Sequence, residues 1–174
     1  MVMKNVFAVL FIVLFASSSA FAFGNSKFKS EVAKETGAVK LLREVAHGGY
    51  DVITTAELAD LRASGEDILI IDTMPFEASY KKNHVPGAVQ FLFPIPEMME
   101  WNSAETAGMS EEDFITLLGD DKDKKIVVYC GFVKCTRSHN GALWAQKLGY
   151  KNVYRYPGGI FAWKGAGFDV ASVK

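Results

Sequence analysis

Cysteine and histidine are scarce in this chain, and sequence repeats are absent. Two cysteines and three histidines among 174 residues provide no second ligand pair at zinc-like spacing, so neither a metal site nor another cofactor is expected. Acidic and basic residues number 20 and 19, a balance that gives no electrostatic reason to expect nucleic acid as a partner. Without repeats or low-complexity tracts, the 49% apolar composition predicts one compact domain.

One long apolar run lies at the N-terminus. Lys4 precedes the run at residues 6–16, and an Ala-Phe-Ala cleavage pattern ends at Ala22. The run is shorter than the roughly 20 residues of a spanning helix, so a signal peptide at residues 1–22 is favoured over an uncleaved membrane anchor. We therefore expect an exported, periplasmic protein that begins near Phe23 and has no stable membrane insertion after cleavage.

The rest of the chain alternates strand-like and helix-like segments. Residues 23–50 are predicted to form an N-terminal helical extension with a helix over 30–47, and residues 51–170 an α/β domain. Predicted strands cover 51–53, 68–71, 88–91, 125–129 and 153–154, and predicted helices cover 54–65, 76–82, 110–119, 138–148 and 160–164. Strands joined by helices imply a mostly parallel five-stranded sheet with helices on both faces.

A cysteine follows the buried strand at residues 125–129. Cys130 is predicted to lie at the carboxyl end of this strand, where parallel sheets bind their ligands. The turn after it leads into a helix, and the free N–H groups of a turn and a helix start carry partial positive charge. We expect these groups to surround the Cys130 sulfur and to favour its thiolate, the reactive form.

The turn at residues 131–137 is predicted to bind the substrate. Convergent N–H groups would hold an anion, and Arg137 would add a fixed positive charge for an oxyanion. Lys134 would be a second, more flexible attraction for an anion, while Phe132 and Val133 would form an apolar wall. The predicted binding residues are Gly131, Phe132, Val133, Lys134, Cys135, Thr136 and Arg137.

Three motifs, taken together and in this order, resemble those of the single-domain rhodaneses. Residues 71–74 read Ile-Asp-Thr-Met, residues 84–88 read His-Val-Pro-Gly-Ala, and residues 156–163 read Tyr-Pro-Gly-Gly-Ile-Phe-Ala-Trp. The resemblance extends from about Asp51 to Phe168. It implies a rhodanese-like fold and a sulfurtransferase of the thiosulfate or polysulfide type.

The resemblance also implies a catalytic cycle on Cys130. Its thiolate would attack the outer sulfur of thiosulfate or polysulfide and would carry that sulfur as a persulfide until cyanide or a thiol removes it. A partner protein is a further candidate acceptor. Two alternatives from other classes remain open: a periplasmic sulfur carrier with little turnover, and a thiol-redox module that uses Cys130 and Cys135.

Cys135 has three candidate roles. It is a bystander, a resolving thiol that attacks the Cys130 persulfide and releases sulfide, or a partner that protects Cys130 as a disulfide. A permanent structural disulfide is disfavoured because the pair would close a very short loop, which gains little stability from a cross-link.

Three positions depart from the pattern of the family or carry uncertain roles. Arg137 lies seven positions after Cys130, whereas the family usually places an arginine five positions after its cysteine, so a wider loop is expected. Met74 stands where the family often has an arginine, which leaves Asp72 as a supporting residue with a structural reading as its alternative. His139 either lines the pocket or is an exposed helix residue.

Overall fold

A computed structural model of the protein describes the backbone of residues 4–173 and the side chains of residues 26–173. The predicted signal peptide lies outside the residues with described side chains, so it stays a prediction, as do the domain boundaries. Helix α1 (Lys4–Gly48) ends as predicted, where Gly49 adopts φ +68°, a conformation that glycine tolerates. Within the residues that were described, no helix combines the length and hydrophobicity needed to cross a membrane.

The described chain forms two units, and the second, which begins at Lys40, contains the sheet. Its strands are β1 (Asp51–Val52), β2 (Ile68–Asp72), β3 (Val89–Gln90), β4 (Lys125–Tyr129) and β5 (Asn152–Tyr156). Its further helices are α2 (Thr55–Ala63), α3 (Glu111–Leu118), α4 (Arg137–Lys147) and α5 (Gly159–Gly165), and a π-helical turn (Phe76–Tyr80) joins β2 to β3. Every predicted element of this unit is present, with boundaries that differ by a few residues.

The five strands form one parallel sheet in the order β1-β5-β4-β2-β3. This confirms the predicted α/β class. Strand β4 lies at the centre, where Tyr129 pairs with Asp72 of β2 and with Tyr156 of β5. The carboxyl ends of three strands therefore meet at one edge of the sheet, and Cys130 is the next residue along the central strand.

Side chains of β4 alternate between two hydrophobic layers. Ile126 and Val128 pack in one cluster with Phe114 of α3 and Trp144 of α4. Val127 and Tyr129 belong to the other cluster, which contains Leu58 of α2 and Trp163 of α5. Because successive strand residues point to opposite faces, the helices cover both faces of the sheet, as expected.

The predicted capping box at the start of α2 is present. Thr54 Oγ1 accepts the Glu57 N–H at 3.3 Å, and Glu57 Oε2 accepts the Thr54 N–H at 2.7 Å. Replacing Thr54 with alanine is expected to lower the free energy of unfolding by about 1 kcal/mol, measured from the urea midpoint. Thr54→Ser keeps the hydroxyl and should remain close to the parent chain. Equal losses in the two variants would show that the cap hydroxyl is not responsible.

Candidate active site

The base of the loop after β4 is fixed by the start of α5. The N–H groups of Ile160 and Phe161 donate to the carbonyl oxygens of Cys130 and Gly131, each at 3.0 Å. Gly159 precedes them with φ +60°, and a Cβ atom on it would lie 2.2 Å from the Cys130 carbonyl oxygen. The Gly-Gly motif therefore permits a close backbone contact that positions the cysteine.

A buried arginine holds the loop from inside the protein. Arg155 of β5 is 0% exposed, and its guanidinium donates to the carbonyl oxygens of Cys135 at 2.9 Å and Val133 at 3.4 Å. It also donates to Ser138 Oγ at 3.0 Å and to Glu44 Oε2 at 2.6 Å. Sequence reasoning missed this residue, although an arginine inside a buried strand was an available signal, since charged residues are seldom fully buried without a partner.

The last turns of α1, from Lys40 onward, also contact the loop. Lys40 Nζ donates to the Lys134 carbonyl oxygen at 2.8 Å and to Thr136 Oγ1 at 2.7 Å, and it lies 3.5 Å from Glu44 Oε1. Lys40 and Glu44 thus reach the loop by two routes, one direct and one through Arg155. Neither residue was predicted from the sequence to contribute to the site.

Acceptor atoms surround the sulfur of Cys130. The residue is 1% exposed, and its Sγ lies 3.4 Å from the Cys135 carbonyl oxygen, 4.0 Å from the Phe132 carbonyl oxygen and 3.4 Å from Ser138 Oγ. Burial raises the pKa of the Cys130 thiol well above its ordinary value, and the Cys135 sulfur raises it further, against the opposing hydrogen bonds of Ser138. Carbonyl oxygens lie beside this sulfur where the sequence predicted N–H groups, and the Cys130 thiolate itself stays a prediction.

Several groups of the loop act on Cys135. The neighbouring Cys130 thiol has the largest effect on its pKa, and the N–H groups of Arg137 and Gly131 and the charge of Arg137 add to it. Together these contacts outweigh burial and lower the pKa of Cys135 to about 6. Both cysteines are free thiols. The predicted cradle of N–H groups is thus present in part, but it holds the second cysteine.

Comparison with known proteins identifies the fold that carries this loop. The pattern of the Rhodanese-like domain family matches residues 54–166. The chain belongs to this family. The suspected resemblance is thereby confirmed, and with it membership of a family that includes sulfurtransferases.

The rhodanese-like chain is similar in sequence to proteins with different names. It is 33% identical over 134 residues to rhodanese-like domain-containing protein 14, chloroplastic, of Arabidopsis thaliana, a match that covers 62% of this chain and 59% of the relative. It is 45% identical over 47 residues to a tRNA uridine(34) hydroxylase of Erwinia tasmaniensis, covering 26% and 13%. The chain therefore spans less than two thirds of either relative.

A solved structure supports the same fold. The thiosulfate sulfurtransferase of Pseudomonas aeruginosa superimposes with a TM-score of 0.56 at 20% identity, over 78% of this chain and 23% of that one. At this identity the similarity shows the shared fold and leaves the substrate of the present chain open.

The other predicted binding residues of the loop differ in exposure and in contacts. Phe132 and Val133 are 47% and 41% exposed, and the Phe132 ring lies 5.6 Å from that of Phe161, so an apolar surface does border the loop. Lys134 is exposed. Arg137 donates from Nη1 to the Phe93 carbonyl oxygen, so its guanidinium is tied to a neighbouring segment.

Asp72 is a buried carboxylate at the end of β2. It is 0% exposed, its Oδ1 accepts the Met74 N–H at 2.9 Å, and within the described residues its Oδ2 has no hydrogen-bond partner. Burial raises the pKa of Asp72 to about 6, although the Met74 N–H and the nearby Tyr129 hydroxyl oppose the shift. These contacts agree with the structural alternative for Asp72, a carboxylate that braces the backbone after its strand.

Asp72→Asn is expected to stabilise the protein above pH 6. Between pH 3.8 and about 6 the folded chain keeps a proton that the unfolded chain has released, so this carboxyl costs stability as the pH rises through that window. A shift of about two units corresponds to about 3 kcal/mol. Urea unfolding at pH 8 should show a gain of this order for Asp72→Asn, and the gain should vanish near pH 4. A gain that does not vary with pH would contradict the assignment.

His139 is buried rather than exposed. It is 1% exposed, its Nδ1 lies 2.7 Å from the Tyr50 hydroxyl and its Nε2 lies 3.4 Å from Glu97 Oε1. Burial lowers the pKa of His139. The expectation of an exposed helix residue is therefore wrong, and both ring nitrogens are engaged by residues outside the loop.

Proposed function

We propose that this rhodanese-like protein moves sulfane sulfur from thiosulfate or polysulfide to a nucleophilic acceptor, cyanide or a thiol, through a cysteine persulfide in the loop at residues 130–137. The observation that carries the proposal is a pair of free thiols, Cys130 and Cys135, in the loop at the carboxyl edge of the parallel sheet of a rhodanese-like domain. The contacts of the loop lower the pKa of Cys135, and the thiolate is the form of cysteine that attacks sulfur.

The surroundings of the loop suit this chemistry. N–H donors that stabilise a thiolate also stabilise a persulfide anion, so no general base is needed. The exposed Lys134 attracts an anionic donor, and the apolar Phe132 and Val133 accommodate polarizable sulfur chains. The sequence assigned the persulfide to Cys130, and that assignment stays a prediction.

Location and partners complete the proposal. We retain the periplasm as the compartment and a partner protein as a further acceptor, both from the sequence. A second candidate function, a thiol-redox module, is favoured by the closeness of the two cysteines, whose contact is 3.4 Å from Cys130 Sγ to the Cys135 carbonyl oxygen, because neighbouring thiols are the reactants of disulfide formation. A sulfur carrier with little turnover would use the same loop.

Intact mass measurement separates these functions. Purified protein incubated without oxygen with thiosulfate or polysulfide should gain mass in units of one sulfur atom, and cyanide should remove the added mass and yield thiocyanate repeatedly. A carrier would load but turn over slowly. A redox module would lose two hydrogen atoms under mild oxidant and gain no sulfur. The double variant Cys130→Ser, Cys135→Ser serves as the control for adventitious sulfur.

A further inference from the structure

Two phenylalanines beside the reactive loop face the solvent. Phe161 of α5 is 65% exposed and Phe132 is 47% exposed, and the centroids of their rings lie 5.6 Å apart. The N–H group of Phe161 donates to the Gly131 carbonyl oxygen, so this apolar surface is fixed to the loop that carries the cysteines. Exposed apolar side chains that adjoin one another are typical of surfaces that bind a partner.

A surface pocket with two lysines adjoins Phe161. Its walls come from the π-helical turn with the residues after it and from α5, and Lys82, Lys164 and Phe161 are among the residues that line it. Both lysines are exposed, and within the described residues neither ammonium group makes a hydrogen bond or an ion pair. The carboxylate of the same turn, Glu77, already pairs with Lys81 at 3.1 Å. Two unpaired cations beside an apolar ring favour an occupant that brings carboxylates.

Lys134 extends this positive charge to the reactive loop. It is exposed, and its ammonium group likewise has no partner in the part of the chain that the structure describes. By contrast, Lys40, Arg137 and Arg155 already donate to oxygen atoms of the protein. The free positive charge therefore lies on the solvent side of the loop.

The unpaired lysines and the exposed rings together form what we call the acceptor surface. Its members are Lys82, Phe132, Lys134, Phe161 and Lys164. We propose, on the basis of the function proposed above, that the acceptor surface binds a partner protein through a segment that presents acidic and apolar side chains around a thiol. The lysines select the charge of this segment, and the rings select its apolar part. An anionic membrane would satisfy both, but it supplies no thiol and would cover the loop.

The transfer to such a partner balances without an oxidant. The partner's thiol releases its proton to solvent, and its thiolate attacks the terminal sulfur of the cysteine persulfide in the loop. A bond forms between these two sulfur atoms, the S–S bond of the loop persulfide breaks, and the loop cysteine leaves as a thiolate with the bonding electron pair. The acidic side chains of the partner take no part in these bond changes, so they should affect KM more than kcat.

Two synthetic peptides test the proposal. Each contains one cysteine and one phenylalanine, together with either three glutamates or three lysines, and mass measurement follows the rate at which the peptide gains sulfur from the loaded protein. We expect KM for the acidic peptide to be about tenfold lower than KM for the basic peptide. The difference should shrink as salt is added, because salt screens exposed charges.

Charge reversal assigns this preference to the acceptor surface. Lys82→Glu combined with Lys164→Glu should raise KM for the acidic peptide about tenfold and should leave turnover with cyanide within about twofold of the parent rate. Lys122→Glu combined with Lys151→Glu is the matched control, because it makes the same change of net charge next to the amino ends of β4 and β5, at the opposite edge of the sheet. Its KM values should stay near those of the parent.

Three results would contradict these expectations. Equal KM values for the two peptides, in parent protein that turns over cyanide, would overturn the proposal. Equal KM values together with cosedimentation of the parent protein with vesicles of phosphatidylcholine and phosphatidylserine would overturn it in favour of a membrane. Parent protein that transfers no sulfur to cyanide would instead refute the proposed function.

Discussion

Replacing Gly159 with alanine is expected to lower the free energy of unfolding by roughly 2–5 kcal/mol. The residue has φ +60°, where alanine costs about 1–2 kcal/mol. Its Cβ atom would also lie 2.2 Å from the Cys130 carbonyl oxygen and 2.7 Å from the Gly131 carbonyl carbon. Both contacts are with backbone, so relief requires the loop to move, at a further cost of about 1–3 kcal/mol. Urea unfolding measures the total.

Gly65→Ala is the matched control for this change. Gly65 also has a positive φ, +76°, but a Cβ atom on it would meet no atom within 4 Å. It should therefore lose only the cost of the backbone conformation and keep the parent rate of sulfur uptake. Gly159→Ala should slow uptake by about tenfold or more, because a small displacement of the reacting group is costly. Equal stability losses in the two variants would rule out the backbone contact as the cause.

Arg155→Met is expected to lower the free energy of unfolding by about 3–5 kcal/mol, because it leaves the largely buried Glu44 carboxylate with only the partly exposed Lys40 as its ion-pair partner. The guanidinium is 0% exposed, and its hydrogen-bond partners are Glu44, Tyr50, Ser138 and the carbonyl oxygens of Val133 and Cys135. Methionine fills similar space but donates no hydrogen bond. The loop carbonyl oxygens also lose their donor. The pH at which the rate of Cys135 alkylation by iodoacetamide reaches half its maximum should therefore shift.

Glu44→Gln provides the second side of a double-mutant cycle. Added to Arg155→Met, it removes the carboxylate charge that has lost its arginine partner, so the double variant should be more stable than the sum of the two single losses predicts, by about 1–3 kcal/mol. Arg155→Lys keeps a charge for Glu44 but lacks the planar fork, and it should fall between the parent and Arg155→Met. Strictly additive losses would show that Glu44 and Arg155 do not stabilise each other.

The sheet and its helices were largely predictable because their signals are local. The apolar runs at residues 68–71 and 125–129 form β2 and β4, and the Thr54 capping box begins α2.

The wrong prediction for His139 has a tertiary cause. Asn140 on the same helix donates to the carbonyl oxygens of Pro94 and Pro96, so an irregular segment covers a part of α4 that periodicity alone leaves open to solvent.

The position of the reactive loop was also predictable, but its internal geometry was not. A strand end followed by a turn located Cys130 at the edge of the sheet. The directions of the N–H groups depend on long-range contacts, such as Lys40 with Thr136 and Arg155 with Glu44, which lie 96 and 111 positions apart. Local propensity carries no information on such contacts, so the carbonyl oxygens beside the Cys130 sulfur were not predicted.

The residues that support the loop do not all come from the segment that defines the family. The family pattern begins at residue 54, whereas Lys40 and Glu44 precede it and still reach the loop or its arginine. A chimaera that transplanted only residues 54–166 into another protein would contain both cysteines but would lack Lys40 and Glu44. The segment that supports the loop therefore begins before the segment that the family pattern matches.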